Sequence, residues 1–122
     1  MANDFKRFTV NNVNTSAGAS ASAVYSVPAG AGSSALESIV IGITVSNTSS
    51  TGITASVFLD NNSGSNDVHI VKDATIPAGS SLEVMSGNKL VLQNTGSAAD
   101  VLRVSASAAT SCDAVVSVLE DV

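Results

Sequence analysis

The sequence predicts an all-β fold, a single antiparallel β-sandwich with no significant helix. Three observations predict it. Short runs of Val, Ile and Leu alternate with small polar residues, the period-two pattern of strands with one buried face. Clusters of Gly, Ser, Asn and Pro interrupt those runs at about the 8–12-residue spacing of sandwiches and barrels. No stretch sustains a 3.6-residue apolar period between helix caps. A chain of 122 residues reads as one domain. It is long enough to bury roughly two-thirds of its unfolded surface around one core.

The elements follow in order. Residues 1–21 read as an N-terminal arm and hinge, and residues 22–122 as the sandwich domain. Residues 5–12 alternate loosely, as an extended arm or a first strand would. Residues 14–21 are rich in Ser, Ala and Gly and have no apolar anchor. Residues 22–27 (SAVYSV) form a strand stopped by Pro28, and residues 28–34 a Gly-rich turn. The strongest alternation runs over residues 37–46. Ile39, Ile41, Ile43 and Val45 share one face, and Val40, Gly42, Thr44 and Ser46 the other. After a loop, Ile53, Ala55, Val57 and Leu59 repeat the alternation. These two strands are expected to form a hairpin, with Ile41, Ile43, Val57 and Leu59 facing the core. Residues 60–67 (DNNSGSND) are a polar loop. Strands are then expected at 68–72, 82–84, 90–92, 101–106 and 114–119. Pro77 to Ser80 and Gly87-Asn88 reverse the chain between them.

Composition narrows the function. Charged residues are 12% of the chain, against ~25% in typical soluble domains. The surface should therefore be Ser, Thr, Asn and Ala, which costs little to desolvate. A net charge of −5 argues against nucleic acid, which needs a basic stripe, and against anionic membranes. Cys112 is the only cysteine, so an intramolecular disulfide is excluded. It reads as a small core or strand-edge residue. The N-terminus has no apolar leader pattern, so a product made in the cytoplasm is expected. Three Asn-X-Ser/Thr triplets, at Asn14, Asn47 and Asn61, read as turn chemistry rather than glycosylation sites.

Chemistry is sparse. There is one histidine, His69, near Asp67 and Asp73, and no nucleophile, zinc or phosphate-loop motif accompanies it. It reads as a partly exposed strand residue. The 60–67 loop carries alternating oxygen ligands around a glycine, as a calcium loop requires. The glycine comes one position early and no bidentate Glu follows, so an ordinary turn is the expectation. No catalytic residue, cofactor or metal is expected. The one adjacent basic pair in this acidic chain is Lys6-Arg7, flanked by Phe5 and Phe8. These four residues are the candidate partner-docking group: two apolar anchors and a charge pair on an arm that leaves its own sandwich.

One resemblance sharpens this. The chain reads Val71-Lys72-Asp73-Ala74-Thr75-Ile76-Pro77-Ala78-Gly79-Ser80-Ser81-Leu82-Glu83-Val84, then Gly87-Asn88-Lys89-Leu90-Val91-Leu92. It continues with Ala99 to Val104 and Ala114 to Glu120. With Val24-Tyr25-Ser26-Val27-Pro28, this resembles a family of small all-β virion proteins of tailed bacteriophages, over most of the chain from Ala23 onward. The resemblance implies a structural role in a phage particle and no active site. The sandwich is expected to be of jelly-roll or immunoglobulin-like type. The leading expectation is a capsid decoration (cement) protein on the virion surface. Its partners would be the major capsid protein or other virion proteins, and it would act as a homo-oligomer, with a trimer favoured. A neck or tail component of the same virion is the nearest alternative. A carbohydrate-binding attachment module is another, poorly supplied with aromatic platforms.

Overall fold

The computed structural model describes residues 3–121 except 17, 31, 33, 34, 62–65, 86–88 and 97. Among them run nine strands: β1 Asn3–Val10, β2 Ser22–Ser26, β3 Leu36–Asn47, β4 Ile53–Asn61, β5 Asn66–Ile76, β6 Ser81–Glu83, β7 Leu90–Asn94, β8 Val101–Ala106 and β9 Cys112–Asp121. A 3₁₀ turn, Gly18–Ser20, precedes β2. One sheet has the order β1-β9-β3-β6, with β7 also paired to β3. The other has the order β2-β8-β4-β5, and every pair is antiparallel. The pairing is nested: first strand with last, second with next to last, third with the sixth and seventh, fourth with fifth. A long hairpin rolled over itself gives this order, so of the two expected types the sandwich is the jelly roll.

The core between the sheets is built from Val, Ile and Leu. Val24, Val40, Ile43, Val45, Val57, Ile76, Leu92, Leu102, Val104, Val116 and Val118 are all buried in it. Branched side chains on alternating positions interdigitate well across two facing pleated sheets.

On β3 the observed faces differ from the expected ones. Leu36, Ser38 and Val40 point inward, and then Ile43, Val45 and Asn47 do. The phase changes at Ile41, where the β3–β9 register slips between Val40 and Gly42. A bulge inserts one residue and turns the following side chains over. Ile39 and Ile41 therefore face outward, although both were expected on the core face with Ile43. Of the four predicted core residues, Ile43 and Val57 are buried, Leu59 is partly buried, and Ile41 is 42% exposed.

The expected hairpin of β3 and β4 does not form. The two strands lie in different sheets, and residues 48–52 carry the chain across the sandwich. Asn47 shapes this corner. Its side-chain NH₂ donates to the carbonyls of Thr51 (2.8 Å) and Ile76 (3.0 Å), and its side-chain oxygen accepts from the amide of Ser49 (2.9 Å). Two strands with one apolar face each satisfy that pattern equally well by packing face to face.

Asparagine turn chemistry recurs elsewhere. The Asn14 oxygen accepts from the amides of Ser16 and Ser22, and the Asn94 oxygen accepts from Gly96. The expected 60–67 loop is shorter than its bounds: Asp60 and Asn61 end β4 and pair with Asp67 and Asn66 of β5, while residues 62–65, and with them the calcium-loop expectation and the rest of the Asn61 triplet, lie outside the described residues. The Pro77–Ser80 turn closes with Ser80 N–H donating to the Pro77 carbonyl at 3.1 Å. Gly79 there has φ +69°, a value that favours glycine.

Candidate interaction surface

The four predicted docking residues sit on β1, and β1 is not a detached arm. Asn3 to Val10 pairs with β9 over eight consecutive positions, from Asn3 opposite Asp121 to Val10 opposite Ala114. The segment that was expected to leave its sandwich is thus an edge strand of it. Strand alternation divides the four residues between two faces. Lys6 and Phe8 turn toward the interior, and Phe5 and Arg7 face outward.

The inward pair joins a buried polar cluster. The Phe8 ring lies 4.7 Å from that of Tyr25, centroid to centroid. The Tyr25 hydroxyl donates to Glu120 Oε2 at 2.6 Å. Since that proton is committed, Ser38 Oγ, 2.7 Å away, donates to Tyr25 Oη. Lys6 Nζ lies 2.9 Å from Glu120 Oε1. Tyr25, Ser38 and Glu120 are all buried. Burial first, and then the hydrogen bond to Glu120, push the Tyr25 pKa far above its ordinary value. Burial by itself would raise Glu120. The hydrogen bonds from Tyr25 and Lys6 and the ammonium charge outweigh it, so the carboxyl is held below its ordinary value. A buried carboxylate is tolerable because both oxygens are paired. Lys6 and Phe8 therefore tie β1, through Glu120 of β9 and Tyr25 of β2, to both sheets.

The outward pair belongs to a different arrangement. Phe5 is opposite Leu119, Leu119 is opposite Ile39, and Ile39 is opposite Val91. These four residues form one row across β1, β9, β3 and β7 on the outer face of the five-stranded sheet. Phe5 is 78% exposed and Val91 53%. Ile41, turned outward by the bulge, extends the patch along β3. Scattered single apolar residues are ordinary on a surface, whereas an exposed row of them across four strands is not.

The outer face of the four-stranded sheet holds an open depression of about 240 Å³. It is lined by Ser56, Phe58, Asp67, His69, Asp73 and Ser105, among others. Here the structure brings His69, Asp67 and Asp73 to one place, with a serine beside them. The Ser56 hydroxyl accepts from the amide of Asp73 (2.9 Å) and contacts Asp73 Oδ1 at 3.4 Å, which ties it to the bulged backbone of β5. The His69 ring lies 4.9 Å from that of Phe58. The buried Phe58 ring is thus covered by His69. Among the described residues no group of three or more His, Cys, Asp and Glu is placed to hold a metal. Cys112 is buried, and burial followed by the nearby Asp113 charge pushes its thiol up to about 11. It behaves as a small apolar core residue.

Comparisons with family models, with curated proteins and with solved structures find no match for the chain.

Sequence reasoning singled out Phe5 but missed its row. The available signal was the run Ile39-Val40-Ile41, apolar on both faces of one strand. An unbroken apolar run means that both faces expect cover.

Proposed function

We propose that the protein is a structural protein of a tailed-phage virion, most directly a capsid decoration protein that stabilises the shell by bridging capsid subunits. The observation that carries the reading is the outward apolar row Phe5–Leu119–Ile39–Val91 on a rigid jelly roll. A protein with such a face works by contact with other proteins. The perturbed groups of the chain support the same view, since Tyr25, Glu120 and Cys112 are buried in the framework. The jelly-roll architecture recurs in viral capsid domains, and also in lectins and cupins, so it is a supporting analogy only. The assignment to a phage particle rests on the sequence resemblance.

The mechanism is mechanical. Many copies on a symmetric lattice add buried surface across subunit seams, so modest contacts sum through multivalency. The partners are the major capsid protein or other virion proteins. A homotrimer is the oligomer that a three-fold subunit junction favours. The test is the number of copies per particle, from quantitative gel densitometry of purified virions. Hundreds of copies are the expected result. A dozen or so would move the protein to the neck or tail, and its absence from purified particles would sink the reading.

A further inference from the structure

We propose that the outer face of the five-stranded sheet binds the same face of a second copy of this chain, forming a weak two-fold dimer of the free protein. This goes beyond the virion reading and fails independently of it. It concerns a contact in solution, distinct from the three-fold clustering expected on a shell.

Strand-edge pairing, the usual route by which sandwiches associate, is guarded at two of the edges. Edge strand β1 points a charged side chain inward, Lys6, whose ammonium is held by Glu120. Edge strand β5 is bulged twice against β4, with Lys72 and Asp73 at one bulge and Asp73 at φ +51°. Inward charges and bulges are devices that prevent edge-to-edge pairing. The outer face of the five-stranded sheet carries no such guard along its apolar row.

Charge selects a second copy as occupant and also selects its orientation. On one side of the row, two residues along β3, stands exposed Glu37, opposite Gln93. On the other side stand exposed Arg7, on β1, and Lys89, just before β7. Immediately beside the row the face is thus acidic above and basic below, with exposed Glu83 standing further out on the basic side, opposite Thr44. A two-fold axis running along the row lays Phe5 on Phe5 and Val91 on Val91. It also brings the acidic side of each copy over the basic side of the other. A two-fold axis parallel to the strands would stack Arg7 on Lys89 and repel. Isologous contacts of the first kind are what a self-complementary face produces.

Size sets the strength. Four strands at about 4.8 Å spacing and eight residues at about 3.3 Å rise present roughly 500 Å² per copy. The pair would bury up to roughly 1,000 Å² in total, at the low end of specific interfaces, so the dimer is reversible and concentration-dependent.

Sedimentation velocity of the full chain from about 10 μM to about 1 mM spans the range in which so small an interface associates. The expected result is a reversible monomer–dimer equilibrium. Phe5→Asp and Val91→Asp, on opposite ends of the row, should each weaken it by about tenfold or more. Lys89→Glu should weaken it less, and adding Glu37→Lys should restore it. Unchanged melting temperatures identify the variants that remain folded, and if one fails to fold the other carries the test. A chain that stays monomeric throughout overturns the proposal, even if this face is covered on particles. A dimer or trimer insensitive to both Asp substitutions overturns it too.

Discussion

Phe58 lies on the outer face of the four-stranded sheet and is 2% exposed; Phe5 lies on the outer face of the five-stranded sheet and is 78% exposed. Both rings are on the side of their sheet that faces away from the core. The difference is in what the chain provides to cover them. Over Phe58 sit His69 of the bulged β5 and the rim of the depression, which includes Gly18 of the 3₁₀ turn. Beside it Arg103 bridges Asp60 at 2.9 Å and donates to the carbonyl of Ala21 at 2.8 Å, fastening the segment before β2 onto that face. Nothing comparable among the described residues crosses the face that holds Phe5. One outer face is covered within the chain, and among the described residues the other is not.

Substitutions can break or sharpen this contrast. The largest effect should come from Phe58→Ala, at about 3–5 kcal/mol of stability, as for a ring removed from a closed core. Urea unfolding showing under ~1 kcal/mol would mean that the cover over Phe58 is loose and the two faces are alike.

Next in size is Tyr25→Phe, which removes one hydrogen bond from a buried carboxylate and should cost about 1–3 kcal/mol. It tests whether β1 is fastened into the sandwich and so holds Phe5 in place on the outer face.

The same cluster predicts a pH dependence. An unfolded Glu titrates near about 4.3, whereas Glu120 in the fold titrates lower. Its stabilisation is therefore complete above that pH and is lost as pH falls toward the folded value. Melting temperature should drop on acidification below about pH 4, and Glu120→Gln should flatten that acid limb. An identical limb in the variant would assign acid unfolding to other carboxylates.

Arg103→Met keeps most of the apolar stem but loses the clamp to Asp60 and Ala21. It should cost about 1 kcal/mol, since the pair is partly exposed. Increased protease cutting between residues 14 and 21 would show that the clamp holds this cover down. The smallest effect should be that of Phe5→Ser, within about 0.5 kcal/mol in dilute monomer. A large loss of stability would show that Phe5 supports its own fold, and would remove the argument for an open face.

Much of the fold was legible before any coordinates. Val101 to Ala106 was expected as a strand and is one, bounded identically, because its alternation is regular and loops flank it. The turn at Pro77 to Ser80 was legible from Pro and Gly alone. The paired strand faces were less so. Ile39 and Ile41 seemed to belong with Ile43 because a bulge leaves no trace in an apolar run. Residues 5–8 were recognised as special, but their chemistry divides. Lys6 is bound by a carboxylate 114 positions away in the chain, a partner that local pattern cannot reveal.

The sequence by itself determined the all-β class, the number and rough bounds of most strands, and the scarcity of reactive groups. These depend on local periodicity, turn residues and counting. Tertiary structure alone decided that β3 and β4 part into different sheets, that β1 closes onto β9, and that Phe5, Leu119, Ile39 and Val91 meet in one row. An alternating strand specifies that it needs a neighbour and a cover, but not which. That choice is made by packing two apolar sheet faces together, by the Asn47 corner and by the Tyr25–Glu120–Lys6 cluster, all of which join residues distant in the chain.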